Sequence, residues 1–396
     1  MILPAAPLSP DRTISDDSDS AMAGQPVPGE FALRFTGSGG EYLRIWLVNL
    51  LLTVLTLGIY SAWAKVRREK FFHQNTRLAG ASFDYHGPPL VILRGRLIAF
   101  ALLALAQLDI VPPAVRGAAT LLLLVLLPLL MQRSLRFRLA NTSYRGVRFS
   151  FAGTAWGAYR LVGGYLAAAA LWLLVMGALP SLGVRASVLA PLLVLGLLLM
   201  WPMMHASWRR FVIDHSRFGV EAFGVQLRRR EFAWIYLLAV GAWMAVLLAL
   251  ATVFALSGTA SSLFGVGDAD DSPLARTLVF ATGLLLYASA AAITPVITAR
   301  VQNLSASRTR IGPHRLVSRL PVAAFVRLQL INLVLTVVTL GLYRPFAAVA
   351  TARMRIAALS LVTDGGLDDI LASIAASRDV AVGSEAMDLL GVDLSL

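Results

Sequence analysis

The sequence contains no cysteine, which excludes disulfides, thiolate metal sites and cysteine nucleophiles and leaves the redox compartment open. Charge is scarce as well. Only 14% of the 396 residues are charged, whereas a soluble domain carries about 25%. Acidic residues (22) are fewer than basic ones (35), and hardly any fall inside the apolar runs, Asp109 lying near an outer end. That shortage argues against a proton-coupled pump. No HExxH, GxSxG, P-loop or carboxylate pair occurs within the runs, so the chain is read as a non-enzyme with no cofactor and no metal. His205 and His215 have no third ligand beside them in sequence. A signal-peptide profile is missing too: residues 1–30, rich in Pro, Ser and Asp, read as a disordered cytoplasmic leader.

What is present is apolar. The chain is 57% hydrophobic with a mean hydropathy of +0.71, an imbalance that a water-soluble core cannot absorb. Stretches from Leu97 to Val111, Ala114 to Met131, Ala155 to Leu179, Val188 to Ser207, Phe232 to Leu256 and Leu278 to Thr298 read as six full spans. Two further segments, Ile45 to Ala64 and Val322 to Ala350, flank this series. The net charge of +13 lies between the runs rather than along one extended face, so no nucleic-acid partner is expected.

Positive charge resists translocation, so loop composition sets orientation. The loops around Pro112, Pro180 and Asp268 hold one basic residue each, Arg116, Arg185 and Arg276, and are expected outside. The loop after Ala64 holds Lys65, Arg67, Arg68, Lys70, Arg77, Arg94 and Arg96, and three later loops are similarly basic. These, with both termini, are expected in the cytoplasm, where Lys and Arg attract anionic lipid.

Asn49 to Ala64 (NLLLTVLTLGIYSAWA) and Asn332 to Ala347 (NLVLTVVTLGLYRPFA) are identical at ten of sixteen positions. Asn49, Thr53, Thr56 and Tyr60, and likewise Asn332, Thr336, Thr339 and Tyr343, recur at helical spacing and share one face. Two readings stand: a polar path through the membrane, or hydrogen-bonding glue between helices. Gly58 and Gly341 follow Thr-Leu and are placed to break each helix midway, which makes the segments re-entrant; simple spans are the alternative. A second pattern, (Lys/Arg)-x4-(Asn/Asp)-x4-Gly, joins Lys70, Asn75 and Gly80, then Arg136, Asn141 and Gly146, then Arg209, Asp214 and Gly219. Phe83 and Tyr85, then Phe149 and Phe151, alternate behind it, which predicts short cytoplasmic turn-strand elements whose Asn, Asp and Gly tolerate positive φ. Gly37-Ser38-Gly39-Gly40 reads as a turn rather than a phosphate loop.

Phe35, Gly37, Gly39, Glu41 and Tyr42, Thr56-Leu57-Gly58-Ile59-Tyr60, Trp63-Ala64-Lys65-Val66-Arg67 and Asn75-Thr76 resemble the YjgN family of bacterial inner-membrane proteins. The resemblance runs from Leu33 to about Ala358 and implies location and architecture, with no established activity; Phe346 and Ala348 replace the Trp and Lys in the second copy. The expected fold is an all-α membrane protein, a polytopic helical bundle with internal repeats. It has a leader at 1–30, a repeated membrane domain at 31–358 and an acidic cytoplasmic tail at 359–396. The expected function is transport or permeation of an unidentified solute; the alternative is a non-transporting scaffold that organises lipids or partner proteins.

Overall fold

The computed structural model describes residues 29–363 apart from 184, 220 and 258–272. The leader up to residue 28, the loop around Asp268 and the tail beyond Thr363 lie outside the described residues. The chain alternates pairs of helices with pairs of short strands. Strands β1 (Glu30–Ala32) and β2 (Arg34–Phe35) lead into α1 (Gly39–Leu55) and α2 (Ser61–Gln74). Then come β3 (Thr76–Leu78), β4 (Ala81–Tyr85), α3 (Pro89–Gln107) and α4 (Pro113–Ala140), followed by β5 (Thr142–Tyr144) and β6 (Val147–Phe151). The next helix is irregular: α5 (Ala155–Ala158) passes through a π turn at Tyr159–Gly163 into α6 (Gly164–Ala178), and α7 (Ala186–Asp214) returns. β7 (Ser216–Phe218), β8 (Glu221–Val225), α8 (Arg229–Ser257), α9 (Pro273–Ser307), β9 (Thr309–Ile311) and β10 (His314–Ser318) precede the final helices α10 (Val322–Val338) and α11 (Arg344–Ala357) and strand β11 (Leu359–Val362).

The expectation of an all-α protein is therefore corrected. The strands form one eleven-stranded antiparallel sheet in the order β1-β11-β10-β9-β8-β7-β6-β5-β4-β3-β2. Only Leu33 separates β1 from β2, and its N–H donates to Leu359 O at 2.9 Å, while Thr36 N–H donates to Asn75 O at 2.9 Å. The continuous stretch 30–35 thus pairs with β11 at one end and β3 at the other, and the sheet closes through it. Residues 359–362, assigned by composition to the acidic tail, belong to this sheet. Closure leaves no long unpaired edge to aggregate.

The helices close in the same order. Each packs on its chain neighbour, α4 meets the α5 helix, and α11 returns to α1. Every described helix pair leaves the sheet and comes back to it, so the basic loops lie at the sheet and the loops at Pro112 and Pro180 at the far end. Five of the described helices are long and apolar enough to cross a membrane, with only 6–11% of each span buried. Outward Leu, Ile and Phe side chains such as Phe280 and Leu248 would be an aggregation surface in water and suit a bilayer. The sixth expected span falls within the 29-residue α7.

The short strands begin by one device. Thr76, Thr142, Ser216 and Thr309 each donate a hydroxyl hydrogen bond of 2.7–2.9 Å to the carbonyl four residues back, stopping the preceding helix. Asn75 and Asn141 help, each donating its amide to the carbonyl at i−4. They have negative φ, so the expectation that they supply the left-handed turn is corrected. The turn residues are Ala79-Gly80 and Arg145-Gly146, both positive in φ as tight hairpins require.

Paired residues, and alternate residues along a strand, share a face. Following the register around the sheet puts Arg34, Arg77, Arg148, Arg217, Arg310 and Arg315 on one face, all exposed. Sequence distance hid this common basic face. Phe83, Tyr144, Phe149, Phe218 and Phe223 line the opposite face with ring centroids 4.6–6.4 Å apart. Aromatic contacts of this kind add about 0.5–1.5 kcal/mol per pair beyond burial.

The ends of α1 and α10 share one backbone conformation. Gly58 N–H donates to Thr53 O at 2.8 Å and Leu57 N–H to Val54 O at 3.1 Å; Gly341 and Leu340 repeat this with Thr336 O and Val337 O. This is a Schellman motif whose left-handed position holds Leu57 (φ 49°) or Leu340 (φ 50°) instead of glycine, with Gly58 (φ 92°) and Gly341 (φ 93°) next. A left-handed leucine costs roughly 1–2 kcal/mol. Leu57→Gly and Leu340→Gly should each raise stability by about 1 kcal/mol in detergent melting, while Gly58→Ala and Gly341→Ala should lower it by a similar amount. Gly241→Ala, inside α8 with open space around its Cβ and no positive φ, is the control of opposite sign and should raise stability by about 0.5–1 kcal/mol. Gly196 cannot serve, since an added Cβ would lie 2.5 Å from the Trp172 ring. Equal responses at positions 57 and 58 would contradict the conformational argument.

Candidate functional site

The residues of the twin stripes divide by what they touch. Thr56 Oγ1 donates to Leu52 O at 2.7 Å and accepts from Tyr60 N–H at 2.9 Å; Thr339 does the same with Leu335 O and Tyr343 N–H. Both threonines tie the helix end to the turn. Tyr60 stacks on Trp63 at 6.0 Å and Tyr343 on Phe346 at 5.6 Å, so these rings brace the next helix. Gly58 and Gly341 belong to the turn itself. Thr53 and Thr336 donate to carbonyls of their own helices, at Asn49 O and Asn332 O, both 2.6 Å away.

That leaves Asn49, Thr53, Asn332 and Thr336 as the members lining open space. Asn49 and Thr53 line a cavity of about 610 Å³ with Trp46, Lys65, Arg68, Glu69, Arg96 and Arg344. Asn332 and Thr336 line another of about 670 Å³ with Tyr287, Thr294, Thr298, Gln329, Thr351 and Arg355. Arg344, the first residue of α11, lines both. Asn49 is 7% exposed and Asn332 3%, so neither faces lipid. The two stripes therefore sit on opposite sides of α11 and meet at its tip, rather than opening into one shared cavity.

Neither Asn Oδ1 has a protein partner, and Asn332 Nδ2 reaches Thr351 Oγ1 and Ala347 O only at 3.4 and 3.5 Å. Such long contacts hold little as helix glue. Pro295 lies inside α9 beside Thr294 and Thr298, and all three line the second cavity. At the sheet end, Arg355 Nε donates to Gln302 Oε1 at 2.7 Å, and burial pulls this guanidinium below the ordinary arginine range. Burial, and after it repulsion from Arg355, holds the Arg209 guanidinium of α7 below the ordinary arginine range.

Arg344 and Arg96 escaped the sequence reading. The signal was the mismatch between copies: Arg344 stands where the first copy has Ser61. Ser61 in turn accepts a 2.6 Å hydrogen bond from Arg96 Nη1 of α3, so a guanidinium stands at both tips. An arginine at the centre of a bilayer costs about 2.5–3.5 kcal/mol on insertion scales, and such residues mark functional sites by default.

His205 bonds Tyr236 Oη and His215 bonds Phe211 O, through Nδ1 in each case. Among the described residues no three His, Asp or Glu side chains are grouped to hold a metal ion. Ser38 caps α1 by accepting from Glu41 N–H at 3.2 Å, so the Gly37 to Gly40 run is a helix cap.

The division of roles is testable. Thr56→Val and Thr339→Val remove a two-sided cap and should each cost about 1 kcal/mol in detergent melting. Thr53→Val and Thr336→Val remove only a second bond to an already paired carbonyl, so they should cost well under that. The reverse ranking would make the lining threonines structural.

The profile of the family described as "Bacterial protein of unknown function (DUF898)" matches residues 30–389. "Inner membrane protein YjgN" of Salmonella typhimurium (strain LT2) is 28% identical over 206 residues, 49% of this chain and 52% of that protein. The protein of the same name from Escherichia coli K12 is 37% identical over 126 residues, 30% of each chain. The chain thus spans about half or less of the curated relatives it matches. No solved structure matches. Since the profile covers nearly the whole chain, this protein belongs to the DUF898 family of bacterial proteins of unknown function.

Proposed function

We propose that this is an inner-membrane protein that admits or moves an unidentified solute along the polar cavities flanking α11. The observation that carries the reading is Arg344, a cation with no ion-pair partner among the described residues, joining two cavities that are lined by the twin Asn and Thr residues. In this reading the matched segments are an internal duplication, six helices span, and the terminal pairs are re-entrant. Helix length supports re-entrance: the 12 residues from Ile45 to Thr56 rise about 18 Å, past the middle of a core about 30 Å thick but short of its far side. The fully exposed Leu57 and Leu340 then end in acyl chains. The sheet and both termini would face the cytoplasm, as the basic loops favour.

The scaffold alternative also has an observation in its favour, the six-arginine face of the sheet, which suits an anionic lipid surface at about 1 kcal/mol per charge. Uptake separates the two. Proteoliposomes of the purified chain, given a defined mixture of amino acids, organic acids, sugars and nucleosides, should accumulate at least one solute above protein-free vesicles. Arg344→Gln should cut that uptake tenfold or more while leaving melting in detergent unchanged. No accumulation of any solute, or full uptake by Arg344→Gln, would contradict the path.

A further inference from the structure

The cavity beside Asn49 carries an unusual charge. Lys65 and Arg68 come from α2, Arg96 from α3 and Arg344 from α11, and Glu69 is the one carboxylate among the lining residues. None of the four cations forms an ion pair with a described carboxylate, and Glu69 approaches only His73, at 3.9 Å. A solvated helix face would place its charges on one element. Here they converge from three helices, the consecutive α2 and α3 and the sequence-distant α11, with Arg96 steadied by Ser61. Asn49, more than nine-tenths buried, lines the same space, and its side-chain oxygen Oδ1, an acceptor, has no partner among the described residues. Convergent cations without ion-pair partners are what an oxyanion with several acceptor oxygens requires.

We propose that this cavity binds a phosphate-bearing anion, with Lys65, Arg68, Arg96 and Arg344 supplying the charge. The flanks match the headgroup of an anionic phospholipid: Leu50 and Trp46 line the cavity, and Leu47, Leu51, Leu97 and Ile98 beside it are exposed. A lipid entering sideways would lay its acyl chains on those leucines and its phosphate between α2, α3 and α11. The cavity at Asn332 differs, since of its two cations Arg355 is engaged by Gln302 and Arg344 is shared with the first cavity, and the remaining lining groups are neutral. The inference deepens the proposed path by naming the chemistry of one cavity. It is tested by binding alone, so a failure of uptake would leave it standing, and uptake of a neutral solute would leave the path standing without it.

The test uses the full chain in neutral detergent, melted with phosphatidylglycerol, phosphatidylcholine or inorganic phosphate. Phosphatidylglycerol should raise the melting temperature over phosphatidylcholine. Lys65→Gln with Arg68→Gln, or Arg344→Gln, should weaken its apparent affinity at least tenfold. Arg344→Lys should retain the shift, which separates loss of charge from misfolding, as should Arg148→Gln with Arg217→Gln on the sheet. A shift from the lipid alone identifies a headgroup site, and the same shift from inorganic phosphate identifies a soluble anion; both uphold the phosphate site. Equal effects of the two lipids with phosphate silent, or a shift lost in the sheet variants and kept in the cavity variants, would overturn it.

Discussion

The backbone hydrogen bonding of residues 30–35 is the constraint on which the architecture depends. By pairing with β11 and β3 at once, this stretch turns a row of hairpins into a closed sheet. Each strand is only two to five residues long and would be marginal as an isolated hairpin. Closed, the sheet supplies every strand with neighbours and sets where each helix begins and ends. The chain must then leave the sheet and return to it in pairs of helices, which is why α11 comes back beside α1.

The pairs differ in height, and the cavities follow from that difference. α4 has 28 residues and α9 has 35, whereas α1, α2, α10 and α11 have 14 to 17. Where the short pairs turn, a Schellman end with a strained leucine replaces a loop, and the polar groups at that end lie among the longer helices. Arg344 is the consequence that matters most. It lies at the tip of a short pair, between two cavities, and no carboxylate among the described residues forms an ion pair with it.

The helices were legible in the sequence because hydropathy has a long reach: all six expected spans fall on helices, and loop charge separates the two ends. The turn at Gly58 and Gly341 was legible because it occurs twice. The strands were legible in part, where Phe83 and Tyr85, then Phe149 and Phe151, alternate, but their union in one sheet was not, since closure joins residues more than 300 positions apart. Its trace was nevertheless present, in the Thr or Ser that opens β3, β5, β7 and β9 and in the Arg that follows it at Arg77, Arg217 and Arg310. Within the stripes, spacing identified a common face but not its use: Thr56 and Thr339 serve the turn, while Asn49 and Asn332 face open space. Arg344 was missed because matching two copies draws attention to what agrees, and this residue is where they differ.

The absence of cysteine permits a clean test of closure. Ala32 and Ser360 are cross-strand partners on β1 and β11, at a position without mutual backbone hydrogen bonds, where Cα atoms lie about 4.5 Å apart and a disulfide fits. Ala32→Cys with Ser360→Cys, oxidised mildly in native membranes, should form an intramolecular disulfide, seen as a mobility shift on denaturing gels that reductant abolishes. Ala32→Cys with Ala222→Cys, across the sheet, should not. A failure of the first pair to link, or equal linking of both, would contradict a sheet closed through residues 30–35.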